Sequence, residues 1–226
     1  MKKYFEVLKE CALFGNIGIE ELPVLLDCLG ALVISPGKNE FIFSEGEPAK
    51  DICIVLSGRV QIVRIDCCGN RSIISDIGPS LLFGEAYACA DTEELPVSAV
   101  AAENSVIMLI DSRKITHMCK NSCGFHNQLV YNLLKIMAMK NIQINRKVDI
   151  ISKRTTREKL LTYLTLEAKK NKNMRFTVPF DRQELADYLE VDRSGLSAEI
   201  SKLRKEGIIR CRRSDFELLK VNFSVF

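Results

Sequence analysis

Between Phe125 and Ile151 the sequence contains neither proline nor glycine. Across that stretch Leu129, Val130, Leu133, Leu134, Ile136, Met137, Met139, Ile142, Ile144, Val148, Ile150 and Ile151 recur at helical spacing. A helix of this length divides the chain into a larger part before it and a smaller part after it. Its apolar residues spread over a face too broad for packing on one side only. One stripe can cover the N-terminal part while another pairs with a second copy, which predicts a parallel homodimer through this helix.

The texture before the helix is different. Residues 4–13 and 19–29 read as helical. Short β-rich segments then follow at Ala31–Ile34, Glu40–Phe43, Ile52–Leu56, Val60–Ile65, Ser72–Ile77, Ser98–Ala101 and Val106–Ile110, punctuated by Gly37, Gly46, Gly58, Gly69 and Gly78. Strands of about 4–6 residues recurring every ~8–12 residues point to a sandwich or barrel-like roll. Val60, Ile62 and Ile65 against Gln61 and Arg64 predict a strand with one buried and one wet face. Cys53 reads as core. The run Leu82 to Cys89 breaks the pattern: Gly84 followed by Glu85 and Ala86 predicts a short helix between strands, whose unpaired N–H groups would suit an anion.

Charge is unevenly divided. Up to Ser152 the chain holds 15 Lys/Arg and 18 Asp/Glu; from Lys153 it holds 17 and 11. A basic small unit attached to an acidic larger one points to a polyanionic partner for the small unit.

The motif in that basic unit is the sharpest in the chain. Asp181-Arg182-Gln183-Glu184 starts a helix, with Asp181 as cap and Glu184 at its third position. Val191-Asp192 breaks the helix, and Asp192 caps a second one over about Arg193–Glu206, stopped at Gly207. Two short helices joined by a tight turn form a helix-turn-helix. Ala186 supplies the small residue at the close approach. Val191, Leu196, Ile200 and Leu203 form the buried face of the second helix; Arg193, Ser194, Ser197, Ala198, Lys202 and Arg204 lie on its open face. Ile208–Arg212 and Phe216–Val221 flank Arg213-Ser214-Asp215 as a wing hairpin. Double-stranded DNA fits this arrangement. Arg193 can reach a guanine or a phosphate, and Ser194 and Ser197 can reach base edges. Arg182 and Gln183 suit phosphates, and Lys202, Arg212 and Arg213 add charge to the face and wing.

The whole order of roll, long helix and winged helix-turn-helix resembles the Crp/Fnr transcription regulators. The resemblance rests on Phe43 to Ala49, Ile52 to Val60, Phe83-Gly84-Glu85, Thr156 to Leu160, Asp181 to Leu189, Asp192 to Ser197 and Leu203 to Ile209. It implies an α+β architecture: an N-terminal jelly-roll-like sensory β-roll over 1–124 that resembles a cyclic-nucleotide-binding domain, a dimerisation helix over 125–152 and a DNA-binding unit over 153–226. It also implies a palindromic promoter site and RNA polymerase as a protein partner.

The match weakens at the effector. Family members that bind cyclic AMP use the Gly-Glu of the short helix for the ribose and an Arg-Ser/Thr pair for the phosphate. Gly84, Glu85 and Ala86 match the first part and Ser98 the second, but Val97 stands where the arginine should be. That removes a charge-assisted contact. The positions resembling the purine contacts read Ile142 and Gln143, without the usual threonine. A small effector other than cyclic AMP is therefore expected, of unreadable identity.

Nine cysteines in a chain whose N-terminus, carrying Glu6 and Glu10, does not read as a signal peptide are expected to be free thiols in a cytoplasmic protein. Cys11 and Cys28 stand alone, unlike the closely spaced N-terminal cysteines of iron–sulfur members. His117, Cys119, Cys123 and His126 gather two nitrogen and two sulfur donors, a set that Zn²⁺ accepts. Their spacing is not a standard one, and no metal site is expected. Cysteine redox state or a bound metal stays as the alternative control of the same regulator, with Cys123 as a thiol near a helix start; Cys67-Cys68 reads as an exposed hairpin tip where strain disfavours a direct disulfide. No apolar run approaches the roughly 18 residues of a spanning helix, so no membrane partner is expected. No nucleophile motif or phosphate-binding loop is present, and no enzyme is expected.

Overall fold

The computed structural model describes residues 2–65, 71–116 and 124–219. The chain divides into two compact units, Met1–Met139 and Lys140–Phe226.

The first unit opens with α1 (Phe5–Glu10), a 3₁₀ turn (Ala12–Phe14) and α2 (Leu22–Cys28). The continuous helix expected over 4–13 is interrupted at Cys11, whose backbone is extended at φ −72°, ψ 123°. Cys11 is buried there, and burial pushes its thiol up to about 11. Strands β1 (Leu32–Ile34), β2 (Phe41–Phe43), β3 (Asp51–Ser57), β4 (Val60–Ile65), β5 (Arg71–Ile77) and β6 (Leu82–Phe83) follow, then α3 (Glu85–Cys89), β7 (Ser98–Ala101), β8 (Val106–Asp111) and α4 (Ser112–Thr116). The two-residue β6 and the one-turn α4 were not expected; neither is long enough to show a period.

These strands form two four-stranded antiparallel sheets, β1-β8-β3-β6 and β2-β7-β4-β5. Strand β3 shows how the sheet sits. Its side chains alternate by the period of two, yet both faces are buried: Ile52, Ile54 and Leu56 join a cluster with Leu8, Leu25, Leu129 and Leu133. Cys53 and Val55 point to the roll interior with Val60, Ile77, Phe83, Ala99 and Ile107. Strand β4 departs from simple alternation because its pairing with β5 shifts between Ile62 and Val63. The bulge re-aims the following residues, so Val63 is buried while Ile62 is only partly covered. Gly58, at φ 82°, makes the β3–β4 corner; a Cβ there would lie 2.3 Å from the Ser105 hydroxyl and 2.7 Å from the Asn104 carbonyl.

Helix α5 (Gly124–Ile151) runs from the first unit into the second. Its buried stripe includes Leu129 and Leu133, with Asn132 between them. The Asn132 amide donates to the carbonyls of Leu13 (2.9 Å) and Gly15 (2.8 Å) and accepts from Gln128, so a buried polar group is fully used.

The second unit contains α6 (Thr156–Asn171), β9 (Arg175–Thr177), α7 (Arg182–Leu189), α8 (Arg193–Lys205), β10 (Ile209–Arg212) and β11 (Asp215–Leu218). Both α6 and α7 begin in capping boxes, Thr155 with Glu158 and Asp181 with Glu184. The strands form an antiparallel sheet in the order β10-β11-β9. Leu160, Leu164, Leu185, Ala186, Leu189, Leu196, Ile200, Leu203 and Phe216 share one core. Ala186 has no exposed surface, as the close approach of α7 and α8 requires. The architecture is thus an α+β roll, a long helix and a winged helix-turn-helix. Among the described residues, no helix is long and apolar enough to cross a membrane.

Candidate nucleic-acid interface and effector cavity

Helix α8 is the exposed reading element. Leu196, Ile200 and Leu203 hold its inner face, while Arg193, Ser194, Ser197, Ala198, Ser201, Lys202 and Arg204 face solvent. Asp192 caps its start by accepting from the Gly195 N–H (2.9 Å) and from the Ser194 hydroxyl. These bonds hold the Asp192 carboxyl below the usual carboxylate range. They also engage the Ser194 hydroxyl as a donor, leaving its lone pairs for an incoming group.

The structure gathers several basic residues against this helix. Arg182, Arg204, Arg212 and Arg213 line a recess of about 410 Å³ with Ser197, Ser201 and Cys211. Arg182 donates to the Arg213 carbonyl (3.1 Å) and lies 5.6 Å from the Phe216 ring centre, which ties the start of α7 to the wing tip. Arg213 turns the wing in a left-handed conformation, φ 53°. Gln183 is exposed and bonds Asp187. Lys202 lies 3.8 Å from Glu199, which also receives Arg157 at 3.1 Å. Arg157 reaches Glu206 too, and its hydrogen bond, then its charge, hold the Glu206 carboxyl low. Ser201 was not among the expected contacts; its spacing of four from Ser197 puts it on the same face, and its hydroxyl donates to the Ser197 carbonyl.

In the roll, Gly84 adopts φ 79° at the start of α3, where a Cβ would lie 3.1 Å from the Asp51 carbonyl. Gly84 borders a cavity of about 220 Å³ with Ile42, Phe43, Glu47, Pro48, Ala49, Lys50, Asp51, Cys53, Leu95 and Leu109. Of the expected effector residues Gly84 alone borders this cavity. Glu85, Val97 and Ser98 are buried, and Ala86 is exposed. The Ser98 hydroxyl accepts from the Glu45 N–H (2.9 Å), so it already serves the loop after β2. Ile142 and Gln143 are exposed on the part of α5 that belongs to the second unit.

The cavity combines apolar walls with three charged side chains, Glu47, Lys50 and Asp51. Glu47 accepts from the Ser44 N–H. Burial, and then the nearby charge of Asp111, raise the Asp51 carboxyl. Asp111 itself is held low by Arg113, paired at 3.0 Å. The Cys53 thiol is fully buried and its pKa is pushed up. Burial raises Cys89 as well. Three of the four candidate metal ligands, His117, Cys119 and Cys123, lie outside the described residues, as do Cys67 and Cys68. The fourth, His126, is buried with its Nε2 2.9 Å from the Lys114 carbonyl oxygen. Among the described residues no group of three His, Cys, Asp or Glu side chains could hold a metal ion.

Two family models account for most of this architecture. The cyclic nucleotide-binding domain matches residues 35–122 and the Crp-like helix-turn-helix domain matches residues 158–222. The chain belongs to the Crp/Fnr family of regulators. The transcriptional activator protein anr of Pseudomonas aeruginosa is 25% identical to this Crp/Fnr chain over 187 residues, 80% of it and 74% of the relative. The cyclic AMP receptor protein of Thermus thermophilus is 23% identical over 203 residues, 90% of each. The crystal structure of the Thermus thermophilus catabolite activator protein shares the fold, with a TM-score of 0.55 at 22% identity over 92% of this chain and 93% of that one. As in other Crp/Fnr regulators, the C-terminal unit is a DNA-binding domain.

Proposed function

We propose that this protein is a homodimeric, sequence-specific transcription regulator that binds a palindromic DNA site and is gated by a small effector in its roll, one that is not cyclic AMP. Residues 1–124 serve as the effector roll, 125–152 as the dimerisation helix and 153–226 as the DNA reader. It acts in the cytoplasm with RNA polymerase as partner and carries no catalytic residues.

The observation that carries the DNA reading is the capped, solvent-facing α8 beside the arginine-lined recess. Arg193 and Ser197 read base edges, with Ser194 accepting through its free lone pairs. Arg182, Gln183, Lys202, Arg212 and Arg213 hold phosphates and set the register. The reading against cyclic AMP rests on Val97, buried where the family's phosphate clamp carries arginine. The carboxylates of Glu47 and Asp51 outnumber the Lys50 cation around the Gly84 cavity, which weighs further against an anion. Gly84, Glu85, Ala86, Val97, Ser98, Ile142 and Gln143 remain the proposed effector set.

Titration of labelled duplexes followed by fluorescence anisotropy tests the proposal. Affinity for a selected palindrome exceeds that for random DNA by about 10³-fold or more, and log K falls linearly with log salt. Equal affinity for all sequences would reduce the protein to a non-specific DNA binder.

A further inference from the structure

Beside its buried stripe, α5 carries a second line of residues: Val130, Leu134, Met137, Asn141, Ile144 and Val148. Their spacing is four, three, four, three, four, which is the heptad seam of a two-stranded coiled coil. Val130 is 41% exposed, Leu134 66%, Ile144 62% and Val148 51%, while Met137 is half-buried against the core of the first unit, so the chain's own fold leaves most of this line uncovered. Residues 130–148 span about 27 Å of helix at about 1.5 Å per residue. The strict alternation over that length fits one occupant, a second α5 lying parallel. Burial within a single chain needs only a 3.6-residue period, whereas this line keeps to 3.5.

One position in the seam is polar, Asn141. Its Oδ1 accepts from the Asn145 Nδ2 at 2.8 Å. An amide oxygen has a second lone pair and its nitrogen two donors. We propose that Asn141 fixes the register and the two-stranded state of the dimer by hydrogen bonding to Asn141 of a second copy, an inference that rests on the homodimeric reading above. In a parallel, in-register pair the two Asn141 amides meet, each donating from Nδ2 to the other's Oδ1 while Asn145 steadies the acceptor. A shift of one heptad would set Asn141 against Leu134 or Val148. An antiparallel pairing would set it against Met137 or Ile144. Both alternatives bury an amide with no partner, which selects against them. Fixing the register makes the two DNA-reading units equivalent, as a palindromic site demands.

Sedimentation equilibrium of the full chain and of Asn141→Val and Asn141→Lys tests this, with thermal unfolding as a check that each variant folds. The wild-type chain sediments as a single dimer. Asn141→Lys, which places like charges across the seam, raises the dimer dissociation constant at least tenfold. Asn141→Val unfolds at a higher temperature but populates species beyond the dimer or loses preference for the palindrome. A wild-type dimer with an unchanged Asn141→Lys dissociation constant would take Asn141 out of the seam. An Asn141→Val chain that is a single dimer with wild-type palindrome preference would overturn its role in register. A wild-type monomer would instead overturn the homodimeric reading itself, and this proposal with it.

Discussion

The ammonium of Lys147 lies 4.1 Å from the centre of the Tyr188 ring and donates to the Tyr188 carbonyl. The first residue is on α5 and the second near the end of α7, the helix that precedes the reading helix. Lys147 also lies 4.0 Å from Glu190, whose left-handed backbone ends α7, and Lys159 donates to the Glu190 carbonyl. Tyr188 stacks on Phe180 and packs on Tyr163. The last turns of the long helix are thereby fastened to the helix-turn-helix within one unit. A rotation of those turns would carry the reader with it.

Removing that fastening should be measurable. Lys147→Met keeps the aliphatic stem and deletes the charge. We expect a loss of about 1–2 kcal/mol, from a partly desolvated cation–π contact and one hydrogen bond. Urea unfolding should show a lower midpoint with an unchanged m-value. Burial holds the Lys147 pKa below the ordinary lysine value. The unfolded chain therefore binds this proton more tightly, and this group's contribution to stability rises as pH passes from the lowered value to the ordinary one. Lys147→Met should flatten that rise.

Arg193 separates base reading from phosphate binding. If it reads a base, Arg193→Ala costs about 1–3 kcal/mol of DNA affinity and relaxes choice at one position of each half-site. Arg213→Ala, at the wing tip, should weaken all sequences alike and reduce the salt slope by about one. Binding isotherms for a set of single-substitution duplexes distinguish the two patterns.

Asp192 acts as the cap of α8, so Asp192→Ala should fray the reading helix and weaken DNA binding several-fold, while Asp192→Asn keeps a capping oxygen and most of the affinity. Its carboxyl is held low by the Ser194 hydroxyl and the Gly195 N–H. The cap's contribution is complete above the ordinary Asp pKa and is lost as pH falls through the depressed one. Helix content followed by circular dichroism on acidification checks this, and the Asn variant should lack that component.

The local signals in this sequence were the legible ones. Asp181 with Glu184, Asp192, Ala186 and the Leu196-Ile200-Leu203 face need only neighbours in sequence to be read, and the described helices follow them. Cys11, Leu82–Phe83 and Ser112–Thr116 were not legible, because one-turn and two-residue elements carry no period. The bulge at Ile62–Val63 escaped for another reason: it depends on how β4 pairs with β5. The cavity beside Gly84 combines Ile42, Asp51, Leu95 and Leu109, residues brought together only by the sheets.

The roll gives a further expectation. Val97 is 2% exposed, so Val97→Arg would place an unpaired guanidinium in the interior and not at a ready phosphate clamp. The variant should lose about 3 kcal/mol or more of stability and gain no affinity for cyclic AMP. Thermal unfolding with and without the nucleotide, for wild-type and variant chains, should show a lower midpoint for the variant and no nucleotide-dependent shift for either.

Selection of duplexes from a random-sequence pool by the full-length protein, followed by sequencing, tests the central claim most directly. The account predicts enrichment of an inverted repeat whose half-sites are centred about 10–10.5 base pairs apart or a multiple of that. Two protomers should bind each duplex, and Arg193→Ala should erase the preference at one position of each half. Retention of the pool without enrichment, or enrichment of a single half-site by one protomer, would contradict it.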